Sequence, residues 1–169
     1  MSGNERAVSF RLNGEAVSAE APVRMHAADF LRHRLGWTGT HVGCEQGVCG
    51  MCTILVDGTA IKSCLMLAVQ LDGTEVTTVE ALAEGDRLSA AQEAFKRHHA
   101  LQCGYCTPGF LMLAESLKAC GRTLSRAEIR EELAGVLCRC TGYENILRAV
   151  EEYLNANRTA GQPGGEESD

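Results

Sequence analysis

The chain has 169 residues, enough for one domain or two small ones, and 45% of them are hydrophobic, a fraction that supplies a real core. Its formal net charge of −6 excludes a basic face of the kind that nucleic-acid phosphates require. No apolar run approaches the length of a membrane span, and the first residues carry neither a signal-type apolar stretch nor a twin arginine. This predicts a cytoplasmic protein without a membrane span, in which thiols stay reduced and clustered cysteines hold metal.

From the N-terminus, Ala7 to Leu12 alternates, with Val8, Phe10 and Leu12 on one side. Asn13-Gly14 is a two-residue hairpin signal, and Glu15 to Glu20 reads as the returning strand. Pro22 breaks the pattern, and a helix is predicted from about Arg24 to Leu35, stopped by Gly36. After a cysteine-rich loop, Thr53 to Val56 is a short, β-branched buried strand, turned back by Asp57-Gly58. Glu75 to Val79 is the last strand. Hairpin, helix, loop, hairpin and strand make a small mixed sheet with a helix across it.

From about Ala81 the period becomes helical, and four amphipathic stretches follow. Ser89-x-x-Gln92, Ser125-x-x-Glu128 and Thr141-x-x-Glu144 are capping boxes, and Thr107-Pro108 places an N-cap before a proline. Four short helices with short links predict a bundle. The residues from about Arg158 to Asp169 are polar and rich in glycine and glutamate, which predicts a disordered tail.

Nine cysteines punctuate this plan. Cys44, Cys49 and Cys52 are spaced Cys-x4-Cys-x2-Cys, and Cys64 follows after eleven intervening residues. That is the plant-type ligand pattern for a [2Fe–2S] cluster, in which three thiolates come from one tight loop. Gly43, Gly47 and Gly50 suit a loop whose amides approach sulfur. A zinc site fits the triple plus a single cysteine poorly, because zinc takes paired ligands. The second set is Cys103-Gly104-Tyr105-Cys106 and Cys138-Arg139-Cys140, each pair directly before a predicted helix start. Free amides and partial positive charge at two helix N-termini would suit an anionic cluster. Four thiolates also serve structural zinc, so the residues alone leave both readings open at this second set. Cys120 follows an apolar helix without a cysteine neighbour and is expected to be buried as a small hydrophobe. His98 and His99 end a helix and are expected to be structural; Tyr105 and Met51 are expected only to pack.

The loop Gly43 to Cys52, Cys64, the run Leu101 to Gly109 and the run Leu137 to Tyr143 together resemble the small iron–sulfur subunit of the molybdenum hydroxylases, the xanthine oxidase family. The resemblance covers roughly residues 6 to 155. It implies an α+β protein: a β-grasp plant-type ferredoxin domain over residues 5–80, then a four-helix bundle over residues 81–157, before the tail at 158–169. It implies [2Fe–2S] at both cysteine sets, with Cys44, Cys49, Cys52 and Cys64 on the first cluster. Cys103, Cys106, Cys138 and Cys140 would hold the second. It further implies a large subunit carrying molybdopterin in its cytosine dinucleotide form and a medium subunit carrying FAD. The assembly would be a heterotrimer or its dimer. Gln102 and the Cys140 sulfur would meet the pterin, and electrons would pass singly between the partners. A free-standing two-cluster ferredoxin is the alternative.

Overall fold

The computed structural model describes residues 3–156; the tail predicted at 158–169 lies outside them. Strands β1 (Glu5–Leu12) and β2 (Glu15–Pro22) form the first antiparallel hairpin. Asn13 and Gly14 both take positive φ, 53° and 86°, as the two-residue turn requires. β3 (Thr53–Val56) and β4 (Thr59–Lys62) form the second hairpin, and β5 (Glu75–Thr77) lies between the two. β5 runs parallel to β1 and antiparallel to β3, giving a mixed five-stranded sheet in the order β2-β1-β5-β3-β4.

One short helix covers this sheet. α1 (Ala27–Asp29) runs straight into a π-helical turn, Phe30–Arg34. Phe30 and Leu31 are fully buried against Val8, Leu12, Ile54 and Val76. The helix begins three residues later than its sequence predicts, with His26 as its N-cap. The chain before it is claimed by other partners: Val23 N–H donates to Asn4, and Ala68 N–H donates to the Met25 carbonyl. Strand β2 correspondingly runs two residues past Glu20, to Pro22, and β5 stops at Thr77. Thr78 turns away because Asn13 takes it. The Asn13 carboxamide accepts from Thr78 N–H at 2.8 Å and donates to its hydroxyl at 3.0 Å.

The remaining described chain is helical: α2 (Ala90–Arg97), α3 (Thr107–Ala119), α4 (Arg126–Leu133) and α5 (Glu144–Asn155). Ser89 and Ser125 form the capping boxes that their sequences predict. The helices share one core, with Phe95, Phe110, Ile129, Ile146 and Val150 at its centre. α3 also lies against β3 and β4, and Ser116 Oγ accepts from Ala60 N–H at 3.2 Å.

Two predicted caps are corrected. Thr107 is the first residue of α3, not its cap; Cys106 holds that place, and the buried Thr107 hydroxyl has no partner. Thr141 caps nothing, because Tyr143 adopts φ 70° and starts α5 itself. The Thr141 hydroxyl is instead drawn to Tyr143 N–H at 3.1 Å and to Cys138 Sγ at 3.1 Å. Cys120 is also corrected: it is exposed, at the polar C-terminal end of α3 just before Gly121. No helix among the described residues is long and apolar enough to cross a membrane.

Candidate metal centres

The loop from Gly43 to Cys52 has no regular structure, and its backbone turns inward on sulfur. Cys44 Sγ accepts from Cys49 N–H at 3.3 Å and from Gln46 N–H at 3.4 Å. These amides lower the Cys44 thiol to about 6, with the Cys49 amide contributing most. Gly47, at φ +73°, leaves room for Leu65, whose Cδ1 stands 2.3 Å from where a Cβ would project. Lys62 Nζ donates to the Gly47 carbonyl at 2.7 Å and ties the loop to β4. Cys49, Cys52 and Cys64 are buried; Cys44 is half-buried.

Cys52 and Cys64 are neighbours at the open end of the second hairpin, where Thr53 pairs with Lys62. Ser63 supports both, since its hydroxyl donates to the Cys52 carbonyl at 2.6 Å. Burial, followed by contact with Cys64, pushes the Cys52 thiol to about 11. A bare thiolate is therefore poorly supported there, whereas a metal would supply the missing charge.

The second set is assembled by two loops. Cys103 and Cys106 precede α3; Cys138 and Cys140 lie between α4 and α5. The sulfurs pair across the loops, not within them. Cys103 and Cys140 Sγ are 3.6 Å apart. Cys106 meets Cys138, and burial followed by this contact raises the Cys106 thiol to about 12. Burial alone would raise Cys138 too, but the hydroxyl and amide of Thr141 outweigh it and lower that thiol. The Cys103 thiol at its side is what most raises Cys140.

This pairing bears on which metal fits. Tetrahedral ligation with metal–sulfur bonds of about 2.3 Å sets two sulfurs on one metal about 3.8 Å apart. The Cys103–Cys140 separation of 3.6 Å fits that spacing. Cys44 with Cys49, Cys52 with Cys64, and Cys106 with Cys138 are the other pairs of neighbouring thiols that influence one another's ionisation. Yet no three cysteine, histidine or acidic side chains among the described residues converge on a single ion position. Sulfurs gathered in twos suit a binuclear centre that takes two thiolates for each metal.

The two sites differ in access. The second leaves Cys103 and Cys140 exposed, with Gln102 exposed beside them. Around this edge stand Leu101, Leu137 and Tyr143, which are 42%, 44% and 38% exposed. The phenol oxygen of Tyr143 accepts from Cys138 N–H at 2.9 Å, and Phe110 meets the Tyr143 ring edge-on at 6.4 Å. Tyr105, expected only to pack, joins the two cysteine loops. Its hydroxyl donates to the Val42 carbonyl at 2.8 Å, and its ring stacks on His41 at 4.6 Å. Met51 does pack, half-buried against the helical core. His98, at the end of α2, pairs with Glu152 at 2.5 Å in the structural role expected of it.

Two family models match the chain. Residues 10–83 match a 2Fe-2S iron-sulfur cluster binding domain, and residues 78–151 match a [2Fe-2S] binding domain. The chain thus carries two [2Fe–2S]-binding domains. Caffeine dehydrogenase subunit gamma of Pseudomonas sp. (strain CBB1) is 51% identical over 147 residues, covering 85% of this chain and 88% of that one. The xanthine dehydrogenase iron-sulfur-binding subunit of Escherichia coli O157:H7 is 45% identical over 137 residues, covering 76% and 86%. Quinoline 2-oxidoreductase from Pseudomonas putida 86 superposes with a TM-score of 0.88 at 48% identity, covering 94% of this chain and 99% of the matched one. The chain belongs to the small iron–sulfur subunits of the xanthine dehydrogenase family of molybdenum hydroxylases, and its function is electron transfer within an oxidoreductase.

Proposed function

We propose that this chain is the wire of a heteromeric molybdenum hydroxylase and turns over no substrate of its own. When bound, each [2Fe–2S] cluster accepts and passes one electron at a time. Cys44, Cys49, Cys52 and Cys64 hold the first, in a ferredoxin-like domain spanning residues 5–80. Cys103, Cys106, Cys138 and Cys140 hold the second, in a four-helix bundle spanning residues 81–157. The observation that carries this reading is the pairing of sulfurs across loops, with Cys103 and Cys140 at 3.6 Å.

The exposed edge of the second site is the end that meets a large subunit carrying molybdopterin, in its cytosine dinucleotide form. Gln102 offers an amide, two donors and an acceptor, to a polar heterocycle, and the Cys140 sulfur lies beside it. The first site faces a medium subunit carrying FAD. The assembly is a heterotrimer or its dimer, working in the cytoplasm. The caffeine and xanthine dehydrogenase relatives, which are subunits of dehydrogenases, support this reading.

Purification under anaerobic conditions from the native source tests it. Larger molybdenum- and flavin-containing subunits should co-purify, and full reduction should give two distinct paramagnetic species. A monomeric brown protein that binds neither subunit would point to a free ferredoxin instead. Zinc in place of iron would remove both readings.

A further inference from the structure

Three glycines meet where the two halves of the chain touch. Gly50 lies in the first cysteine loop, Gly109 in the first turn of α3, and Gly135 just after α4. A Cβ on Gly50 would stand 2.1 Å from the Gly135 carbonyl oxygen and 2.9 Å from Val136 Cα. A Cβ on Gly109 would stand 2.5 Å from the Gly50 carbonyl oxygen and 3.2 Å from Met51 Cα. Both clashes are with backbone, which has no rotamer to move aside.

The contact is also held in place. Thr53 donates to the Gly50 carbonyl twice, from its amide at 3.2 Å and its hydroxyl at 2.6 Å. The neighbouring Cys49 carbonyl accepts from Leu137 N–H at 2.9 Å. Each segment in this seam carries cysteines of one set or the other: Cys49 adjoins Gly50, Cys138 adjoins Leu137, and Cys106 is three residues before Gly109.

We propose that Gly50 and Gly109 are positioning residues, whose missing side chains let backbone rest on backbone and so fix the separation of the two cysteine sites. The proposal rests on the two-cluster reading above. Its consequence concerns the rate of inter-site electron transfer and the magnetic interaction of the reduced centres. Dipolar interaction falls with the inverse cube of distance, so a small parting is readable.

Gly109→Ala is the informative variant, because alanine is the better helix former by about 1 kcal/mol and any harm it does comes from the contact. The measurement is iron content, together with low-temperature paramagnetic resonance of the dithionite-reduced full chain. The expected result is wild-type iron with partial loss of the inter-centre splitting. Unchanged splitting at full iron would overturn the proposal. Ser116→Ala removes the α3–β4 hydrogen bond but adds no atom to the seam, and should leave the splitting intact. If Gly109→Ala does not assemble, Thr53→Val decides, because it removes the hydroxyl that holds the Gly50 carbonyl: partial loss of splitting supports the proposal, and unchanged splitting at full iron overturns it. A wild-type chain without two paramagnetic species removes the cluster reading itself, which separates the two failures.

Discussion

The amide of Leu137 donates to the carbonyl of Cys49 across the junction between the two halves, at 2.9 Å. One peptide away on the helical side stands Cys138. A cysteine of the first set and the neighbour of a cysteine of the second are thus joined by one hydrogen bond.

Iron analysis gives the most direct check on the ligand sets. About four irons and four acid-labile sulfides per chain are expected from two binuclear sites. Cys49→Ser and Cys138→Ser should each remove about half of the iron and one of the two reduced signals. Cys120→Ser should change neither, since Cys120 caps the C-terminal end of α3, opposite to the end where Cys106 lies. Loss of iron in Cys120→Ser would show the sets to be misassigned.

Tyr143→Phe should loosen the second site while sparing the first. The phenol oxygen is what the Cys138 amide bonds. Its loss costs about 1 kcal/mol, and more where the amide stays dry. Timed chelation of the reduced protein should show faster release of the second cluster's iron. Equal release from both sites would assign Tyr143 no such part.

Glu152 should contribute to the acid sensitivity of the fold. Arg97, then His98, hold its carboxyl below the ordinary carboxylate range. A depressed value in the folded state means that the stabilisation is complete above the unfolded pKa of about 4.3. It is lost as pH falls through the lower folded value. Glu152→Gln should lower the melting temperature at neutral pH and flatten its decline below about pH 5. An unaltered acid limb would exclude this cluster as its source.

Removing the cap of α2 should cost helix stability without touching either metal site. Ser89 Oγ accepts from Gln92 N–H at 3.2 Å, and Gln92 Oε1 accepts from Ser89 N–H at 2.8 Å. Ser89→Ala should destabilise by about 1 kcal/mol, a fall of about 2–4 °C in melting temperature. Iron content should stay at the wild-type level.

What the sequence discloses here is mostly local. The Asn13-Gly14 and Asp57-Gly58 turns and the Ser89 and Ser125 caps need only neighbours, and each is found as read. Thr107 and Thr141 carry the same local signals and are overruled by their surroundings. Thr141 is drawn to the Cys138 sulfur, and Cys106 takes the cap of α3. The parallel pairing of β1 with β5 joins Arg11 to Glu75, and no periodicity reports such a partner. The cross-loop sulfur pairing and the glycine seam are likewise long-range. Gly50 and Gly109 lie 59 positions apart (109 − 50), and nothing in either neighbourhood points to the other.

The unequal shelter of the two sulfur groups sets an order of decay. Cys49, Cys52 and Cys64 are enclosed by their own chain, while Cys103 and Cys140 are exposed. Oxidative damage to the isolated chain should therefore begin at its helical end, where the sulfurs lack cover of their own.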